Sequence, residues 1–351
     1  MTYITKPKVH HPKLERNELG LTRRDYEGTI STLCAGCGHD SITAAIVQSF
    51  YELSIPPHRV AKLSGIGCSA KTPAYFVKEA HGFNSVHGRM PSVATGAIAA
   101  NRDLVYIGIS GDGDSLSIGL GQFCHAIRRG IDMLYVLENN GVYGLTKGQF
   151  SASADIGTKS KRGEANTQSP IDPVLVAMQL GATYVARGFS GDKAQLVPLL
   201  KAGLSHQGFA FIDVISPCVT FNDHVGSTKS YRYTREHLHD LVPVDFVPLK
   251  SSIEKEQQDA GVTEIAMHDG SIVRFRKVGD DYDPTDRVKA MGRYEELTAA
   301  GEVVTGLLYV NTEGDDFHAQ NHTTAAPLVD LPYEKLCPGS AALDRLMENY
   351  R

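Results

Sequence analysis

Short apolar runs alternate with helix-patterned segments through the middle of the chain, and this alternation narrows the fold more than any other feature. "LVYIGIS" (Leu104 to Ser110), "MLYVLE" (Met133 to Glu138) and "FAFIDVIS" (Phe209 to Ser216) read as strands buried on both faces. "TYVARGF" reads as a further strand. "SLSIGLGQFCHAIRRG" reads as a helix stopped by Gly130, and "DPVLVAMQLGA" and "KAQLVPLLKAGLSH" are helical too. Upstream, "DSITAAIVQSFYELSI" (Asp40 to Ile55) has helical spacing behind an Asp cap, and "RVAKLSGIG" is a strand ending in glycines. Strands joined by helices require right-handed crossovers, so the expected class is α/β, a mostly parallel sheet flanked by helices.

The 351 residues divide into three parts. Residues 1–30 are polar and aperiodic, an N-terminal arm lying on a surface. Residues 31–250 form the α/β domain. Residues 251–351 are a C-terminal extension packed on the core or on a partner. Within it, "EIAMHDGSIVRFRKV" predicts a hairpin about Asp269-Gly270, and "DPTDRVKAMGRYEELTAAGEVV" a helix with an Asp/Thr start. From "LLYVNTEG" onward the texture is loop-rich. The net charge is −5 with scattered basic residues, which argues against a nucleic-acid partner. The first residues hold no apolar targeting core, and no apolar run is long enough for a bilayer, so no membrane association and a cytoplasmic setting are expected. Thiols stay reduced there, and the six cysteines are expected to be ligands or packing residues.

Polar knots close several strands: Gly65-Ile66-Gly67-Cys68, Gly111-Asp112-Gly113-Asp114, Asn139-Asn140-Gly141 and Ser216-Pro217-Cys218. Ligands of open parallel sheets bind beyond the carboxyl ends of strands, so the knots should meet on one rim. Acids close one strand and amides the next. A hard dication with a diphosphate explains that pairing. Mg²⁺ takes oxygen ligands in near-octahedral array, and Asp112, Asn140 and the Val142 carbonyl offer them. Gly113 lets a phosphate approach the backbone N–H groups of Gly113 and Asp114. The bland alternative is two ordinary turns.

Cys34 and Cys37 form a CxxC in "TLCAGCGHDS", while Cys68 and Cys218 close strands. Covalent haem needs His directly after the second cysteine, and Gly38 intervenes. Structural zinc usually takes paired CxxC knuckles. Four thiolates from separated loops suit a [4Fe–4S] cluster, with zinc or structural thiols as the alternatives. "GIGCSA" also mimics a dinucleotide fingerprint, but Pro73 intrudes on the following helix and no acidic residue closes a later strand at the right distance. Cys124 lies within a helix and Cys337 in the tail; both stand outside the cluster set.

Gly111-Asp112-Gly113 followed by Asn139-Asn140 resembles the thiamine diphosphate motif. Together with "CAGCGH", "GIGCSAK", "VHGRMPSVATGA" and "NNGVYGLTKGQ", it resembles the β subunit of a 2-oxoacid:ferredoxin oxidoreductase, closest to the 2-oxoglutarate enzymes, over roughly residues 30–250. The resemblance implies a thiamine-diphosphate-binding fold, with Asp112, Asn140 and the Val142 carbonyl on Mg²⁺. Ile66, Gly67, Cys68, Ser69, Gly113, Asp114, Gly144 and Leu145 line the cofactor, and His87 reaches its diphosphate. Cys34, Cys37, Cys68 and Cys218 hold one [4Fe–4S] cluster. The implied reaction is oxidative decarboxylation of 2-oxoglutarate with CoA to succinyl-CoA and CO₂, reducing ferredoxin and able to run backward. Lys71 is the candidate for the substrate carboxylate, and Lys147 for substrate or CoA phosphate. The glutamate that activates the cofactor ring in such enzymes comes from a second domain absent from this sequence. An α subunit, or a fused γ–α subunit, is therefore expected, in a dimer of αβ heterodimers. Pyruvate or broad 2-oxoacid specificity is the nearest alternative. A non-oxidative thiamine decarboxylase leaves the cysteines idle, and an electron-transfer-only subunit leaves Asp112 and Asn140 idle.

Overall fold

The computed structural model describes residues 12–160, 162–242, 244–247, 262–276, 282–314, 316–337 and 339–350. Its first half runs α1 (Gly38–Glu52), β1 (Val60–Ser64), β2 (His81–Asn84), α2 (Met90–Ala100), β3 (Val105–Gly111), α3 (Leu120–Arg129) and β4 (Met133–Asn139). A small hairpin of β5 (Val142–Tyr143) and β6 (Gln149–Phe150) follows, then α4 (Pro173–Gln179), β7 (Tyr184–Phe189), α5 (Lys193–Ser205), β8 (Phe209–Ile215) and α6 (Tyr231–His237). The rest comprises β9 (Leu238–Val242), β10 (Val244–Val247), β11 (Val262–Ala266), β12 (Ile272–Arg276), α7 (Arg287–Ala299), β13 (Val303–Val310) and the short helices α8 (Phe317–Asn321), α9 (Tyr333–Leu336) and α10 (Ser340–Glu348).

The main sheet has the order β2-β1-β3-β4-β8-β7-β13-β9. The strands from β2 to β7 are parallel to one another. β13 runs antiparallel to β7, and β9 is parallel to β13. The sheet is thus α/β and mostly parallel, as the alternation of runs implied. Every residue of β4 and β8 is buried, which accounts for their continuous apolar character. Phe123 on α3 packs on Tyr135 and Phe211, locking one helical layer to the sheet centre. Because β1, β3, β4 and β8 run the same way, their terminal knots emerge on one rim.

Several local expectations change. α1 starts at Gly38 with Cys37 at its cap, so Asp40 sits in the first turn and does not cap the helix. The helix after the first acidic knot is split. Gly113–Ile118 forms a π-helical turn with Gly119 N bonded to Asp114 O at 2.9 Å, and α3 begins only at Leu120. Such widened turns favour functional sites. Gly130 does end α3, in the left-handed conformation at φ +60°. The N-terminal segment is anchored where it is described: Tyr26 is fully buried and accepts a hydrogen bond from Asn17 Nδ2 at 2.9 Å. Residues 1–11 of the expected arm lie outside the described residues.

In the C-terminal part, β11 and β12 form the hairpin about Asp269-Gly270, with β10 as a third strand. "LLYV" is no loop. It is the end of β13, a buried strand of the main sheet. Residues 248–261 and 277–281 lie outside the described residues. No helix among the described residues is long and apolar enough to cross a membrane.

Candidate active site

One cavity gathers residues from four strand ends. Its walls are His39, Ile66, Gly67, Cys68, Ser69, His87, Gly111–Asp114 (numbers 111 to 114), Asn140 and Val142–Thr146 (numbers 142 to 146). All the residues singled out above for the cofactor and its cation therefore meet there. The space is only about 60 Å³, whereas ligand pockets usually run from about 300 Å³ upward. This chain alone supplies one wall. Val86, Ile118 and Leu145 are exposed apolar side chains within or beside that lining, as a surface awaiting another protein would be.

At the first knot, Asp112 is 1 % exposed. Its Oδ2 accepts from Gly141 N at 2.9 Å, from Ser153 Oγ at 2.8 Å and from Ser151 Oγ. Among the described residues, Oδ1 has only the Asn140 N–H, at 3.4 Å. No cationic side chain among the described residues is paired with Asp112. A buried carboxylate without a counter-charge is costly. Asp112, Asn140 and Val142 line one cavity, so the less engaged Asp112 oxygen and the oxygens of Asn140 and Val142 are the donors a hard cation there would use. Asn140 is held on both sides: its Oδ1 accepts Val142 N at 3.0 Å, and its backbone carbonyl accepts from Asn222 Nδ2 at 2.8 Å.

Gly113 has no room for a side chain, since a Cβ would lie 2.5 Å from the Tyr143 ring. Tyr143 in turn donates its hydroxyl to Gly113 O at 2.9 Å. Asp114 accepts Gly88 N at 2.8 Å and Ser110 Oγ at 3.0 Å. That first bond fixes the loop carrying His87 against the knot. This arrangement leaves a backbone cradle of the kind a diphosphate uses.

Beneath the cavity, His39 Nδ1 lies 2.6 Å from Ser216 Oγ and 3.5 Å from Glu138 Oε2. Thr72 Oγ1 donates to Glu138 at 3.0 and 3.1 Å. Burial raises the Glu138 carboxyl well above its ordinary value and lowers His39 to about 4. His39 is therefore neutral near pH 7.

Of the four cysteines singled out above, Cys68 lines the same cavity, and the others stand near it or near one another. Cys37 N bonds Cys34 O at 3.0 Å, which closes the CxxC turn, and Gly38 N reaches Pro217 O at 3.3 Å. Thr220 Oγ1 approaches Cys34 Sγ at 3.6 Å. A Cβ on Gly144 would stand 3.4 Å from Cys68 Sγ and 3.8 Å from Cys218 Sγ. Cys218 acts electrostatically on Cys37 and on Cys68, and Cys34 on both Cys68 and Cys218. Burial pushes the Cys37 thiol up to about 12 and raises Cys68 and Cys218 as well. None of the four is in a disulfide. Among the described residues, no three His, Cys, Asp or Glu side chains are gathered to hold a single metal ion.

Lys71 and Lys147 stand outside the cavity lining. Lys71 Nζ lies 3.4 Å from Thr32 Oγ1, and its charge acts on Cys68. Lys147 occupies the β5–β6 turn with φ +84°, a conformation unusual for a non-glycine residue. Cys124 is half-buried on α3, and Cys337 is exposed.

Sequence reasoning missed Ser151, Ser153, Asn222 and the His39–Glu138 pair. Only the position of His39 directly after the CxxC–Gly and of Glu138 directly before Asn139 could have flagged the pair.

A family described as "Thiamine pyrophosphate enzyme, C-terminal TPP binding domain" matches residues 65–214. The chain is 42 % identical over 211 residues to a 2-oxoacid:ferredoxin oxidoreductase subunit beta of Saccharolobus solfataricus, covering 60 % of this chain and 68 % of that one. It is 39 % identical over 256 residues to the 2-oxoglutarate oxidoreductase subunit KorB of Mycobacterium tuberculosis, covering 68 % and 67 %. A solved 2-oxoglutarate:ferredoxin oxidoreductase of Magnetococcus marinus, with 2-oxoglutarate, coenzyme A and succinyl-CoA bound, superposes with a TM-score of 0.71 at 28 % identity. That match covers 88 % of this chain and 91 % of the other.

Proposed function

The chain belongs to the beta subunits of 2-oxoacid:ferredoxin oxidoreductases, and from that premise we propose that it serves an enzyme converting 2-oxoglutarate and CoA to succinyl-CoA and CO₂, with two electrons passed singly to ferredoxin. The observation that carries this reading is the shared wall: Cys68 belongs both to the cavity holding Asp112 and Asn140 and to the group of four thiols. Thiamine diphosphate, when bound, supplies the carbanion chemistry for loss of CO₂, and an iron–sulfur cluster supplies one-electron transfer.

The residues of this chain hold and orient. Asp112, Asn140 and the Val142 carbonyl would take Mg²⁺, and the N–H groups of Gly113 and Asp114 would face the diphosphate, with His87 beside them. Ile66, Gly67, Ser69, Gly144 and Leu145 complete the wall. Cys34, Cys37, Cys68 and Cys218 would carry one [4Fe–4S] cluster. Lys71 is the cation of this chain best placed to favour an anionic substrate near Cys68, and Lys147 projects from the neighbouring turn. The 2-oxoglutarate assignment is supported by the KorB relatives and by the solved neighbour, a 2-oxoglutarate:ferredoxin oxidoreductase with that acid bound.

The partner subunit must close the cavity, because the space enclosed here is too small for a cofactor and a substrate together. We place two αβ units in the assembly and ferredoxin at the cysteine face. The divisions 1–30, 31–250 and 251–351 serve as arm, cofactor domain and extension, although β13 of the last part lies within the main sheet between β7 and β9.

Two experiments test the reading. With CoA and ferredoxin supplied, the purified complex should prefer 2-oxoglutarate over pyruvate by about tenfold or more in kcat/KM, or ~1.4 kcal/mol. Equal efficiency with the two acids would remove the substrate assignment and leave the family standing. Gly113→Ala should weaken thiamine diphosphate binding by about tenfold or more, read by calorimetry, because the new methyl must displace the Tyr143 ring. Unchanged affinity would show that the cradle lies elsewhere.

A further inference from the structure

The second asparagine of the Asn139-Asn140 knot has a place in the reading above, and the first has none. Asn139 is 2 % exposed. Its Nδ2 donates to Asp213 Oδ1 at 3.0 Å, while Arg187 Nε donates to Asp213 Oδ2 at 2.7 Å. A carboxylate flanked in this way takes an N–H from the amide, which turns Asn139 Oδ1 toward Ser153. Ser153 Oγ lies 2.8 Å from Asn139 Oδ1 and 2.8 Å from Asp112 Oδ2. The path continues outward, since Arg187 also bonds the Tyr294 hydroxyl, and Tyr294 donates to Asp172 Oδ2 at 2.5 Å. Tyr294 belongs to α7. One buried chain of hydrogen bonds thus joins the C-terminal segment to Asp112.

We propose that Asn139 is a positioning residue for Asp112, acting through Ser153, and that Arg187 and Tyr294 extend this support into the C-terminal segment. This rests on Asp112 being the cation ligand. Ser153 has one proton and two acceptors at equal distance. Its hydroxyl can stay on Asp112 or turn to Asn139 without any heavy atom moving. A cation on the open Oδ1 draws charge from the carboxylate and weakens it as an acceptor. Asn139 Oδ1, which has no other donor among the described residues, then receives the Ser153 proton, so the cation-bound state pairs an acceptor that the other state leaves short of a donor. Behind Asn139 lies a separate cavity of about 190 Å³, also lined by Ser153, Arg187 and Asp213. The amide is therefore held by hydrogen bonds more than by tight packing, and its loss should be felt at Asp112.

The test uses the purified complex of this chain with its partner, at saturating thiamine diphosphate. Mg²⁺ is titrated and retained cofactor is measured, with Mn²⁺ replacing Mg²⁺ for electron paramagnetic resonance. Asn139→Ala and Ser153→Ala should each raise the half-saturating Mg²⁺ concentration by about tenfold, the usual cost of losing an outer-shell partner. The double variant should be no worse than the poorer single one. Ser153→Thr, which keeps the hydroxyl, should stay near wild type, and Tyr294→Phe should show a smaller rise in the same direction. The Mn²⁺ spectrum should change in Asn139→Ala while iron content does not. Unchanged Mg²⁺ demand in Asn139→Ala, or additive effects in the double variant, overturns the proposal. Should Asn139→Ala fail to fold, the pair Ser153→Ala and Tyr294→Phe supplies the same cycle. Asp112→Asn separates the two levels. If it too leaves Mg²⁺ demand unchanged, the cation reading beneath has failed; if it alone abolishes retention, only the role of Asn139 has.

Discussion

Asp112→Ala is expected to yield a complex that purifies with almost no thiamine diphosphate or magnesium while its iron content stays near wild type. Asp112 is the buried anion of the first knot, and its Oδ1 is left open by a geometry that commits Oδ2 to three donors. Removing the carboxylate takes away the charge that would bind the cation. It also strands Gly141 N, at a cost of about 1–3 kcal/mol, while Ser151 and Ser153 keep each other and Asn139 as partners. Loss of cofactor in the alanine variant could therefore mix chemistry with local collapse. Asp112→Asn resolves the two, since it keeps the shape and an oxygen acceptor but removes the anion. Cofactor loss in Asp112→Asn, with an unaltered melting temperature, isolates the charge. The measurements are thiamine content after acid extraction and magnesium by elemental analysis. Normal content of both in Asp112→Asn would falsify the assignment of this cation site.

The parts of this architecture visible in the sequence are those whose physics is local. Continuous apolar runs such as Met133–Asn139 mark strands buried on both faces, and knots that close them mark the ligand rim. Asp112 and Asn140 could be read because strand, helix and strand bring their positions together by rule. Contacts that depend on where a later loop returns were invisible. Ser153 reaches Asp112 across 41 residues and Asn222 reaches Asn140 across 82, and neither carries a pattern of its own. The cap of α1 was misjudged for a related reason. The CxxC turn already begins the helix at Gly38, so the acidic residue that usually signals a cap is left inside the first turn. "LLYV" was lost among polar neighbours, although β13 is wholly buried between β7 and β9. The strand is followed only by the five-residue α8, too short to announce it by periodicity.

The cysteines should divide cleanly into two classes. Replacing Cys34, Cys37, Cys68 or Cys218 by alanine should lower iron and acid-labile sulfide per αβ unit several-fold, whereas Cys124→Ala and Cys337→Ser should leave both near wild type. The division follows from position. The first four come from the CxxC turn, the end of β1 and the end of β8, and their charges act on one another. Cys124 lies on α3 and Cys337 follows α9, and neither is among the groups that influence those four. Burial raises the thiols of Cys37, Cys68 and Cys218, so none is a ready thiolate by itself. Thiolate ligation by a metal offsets that cost, because coordination deprotonates a thiol outright. The four should therefore resist alkylation in the intact complex and react after iron is removed by a chelator. Cys68 carries an additional expectation, since it also lines the cofactor cavity. Its alanine variant should lose the cluster and also weaken thiamine diphosphate retention, while Cys34→Ala, on the exposed side, should lose the cluster alone. Full iron and sulfide in Cys218→Ala would show that the fourth ligand is another group. Equal cofactor retention in the Cys68 and Cys34 variants would show that the wall shared by thiols and cofactor is not a functional one.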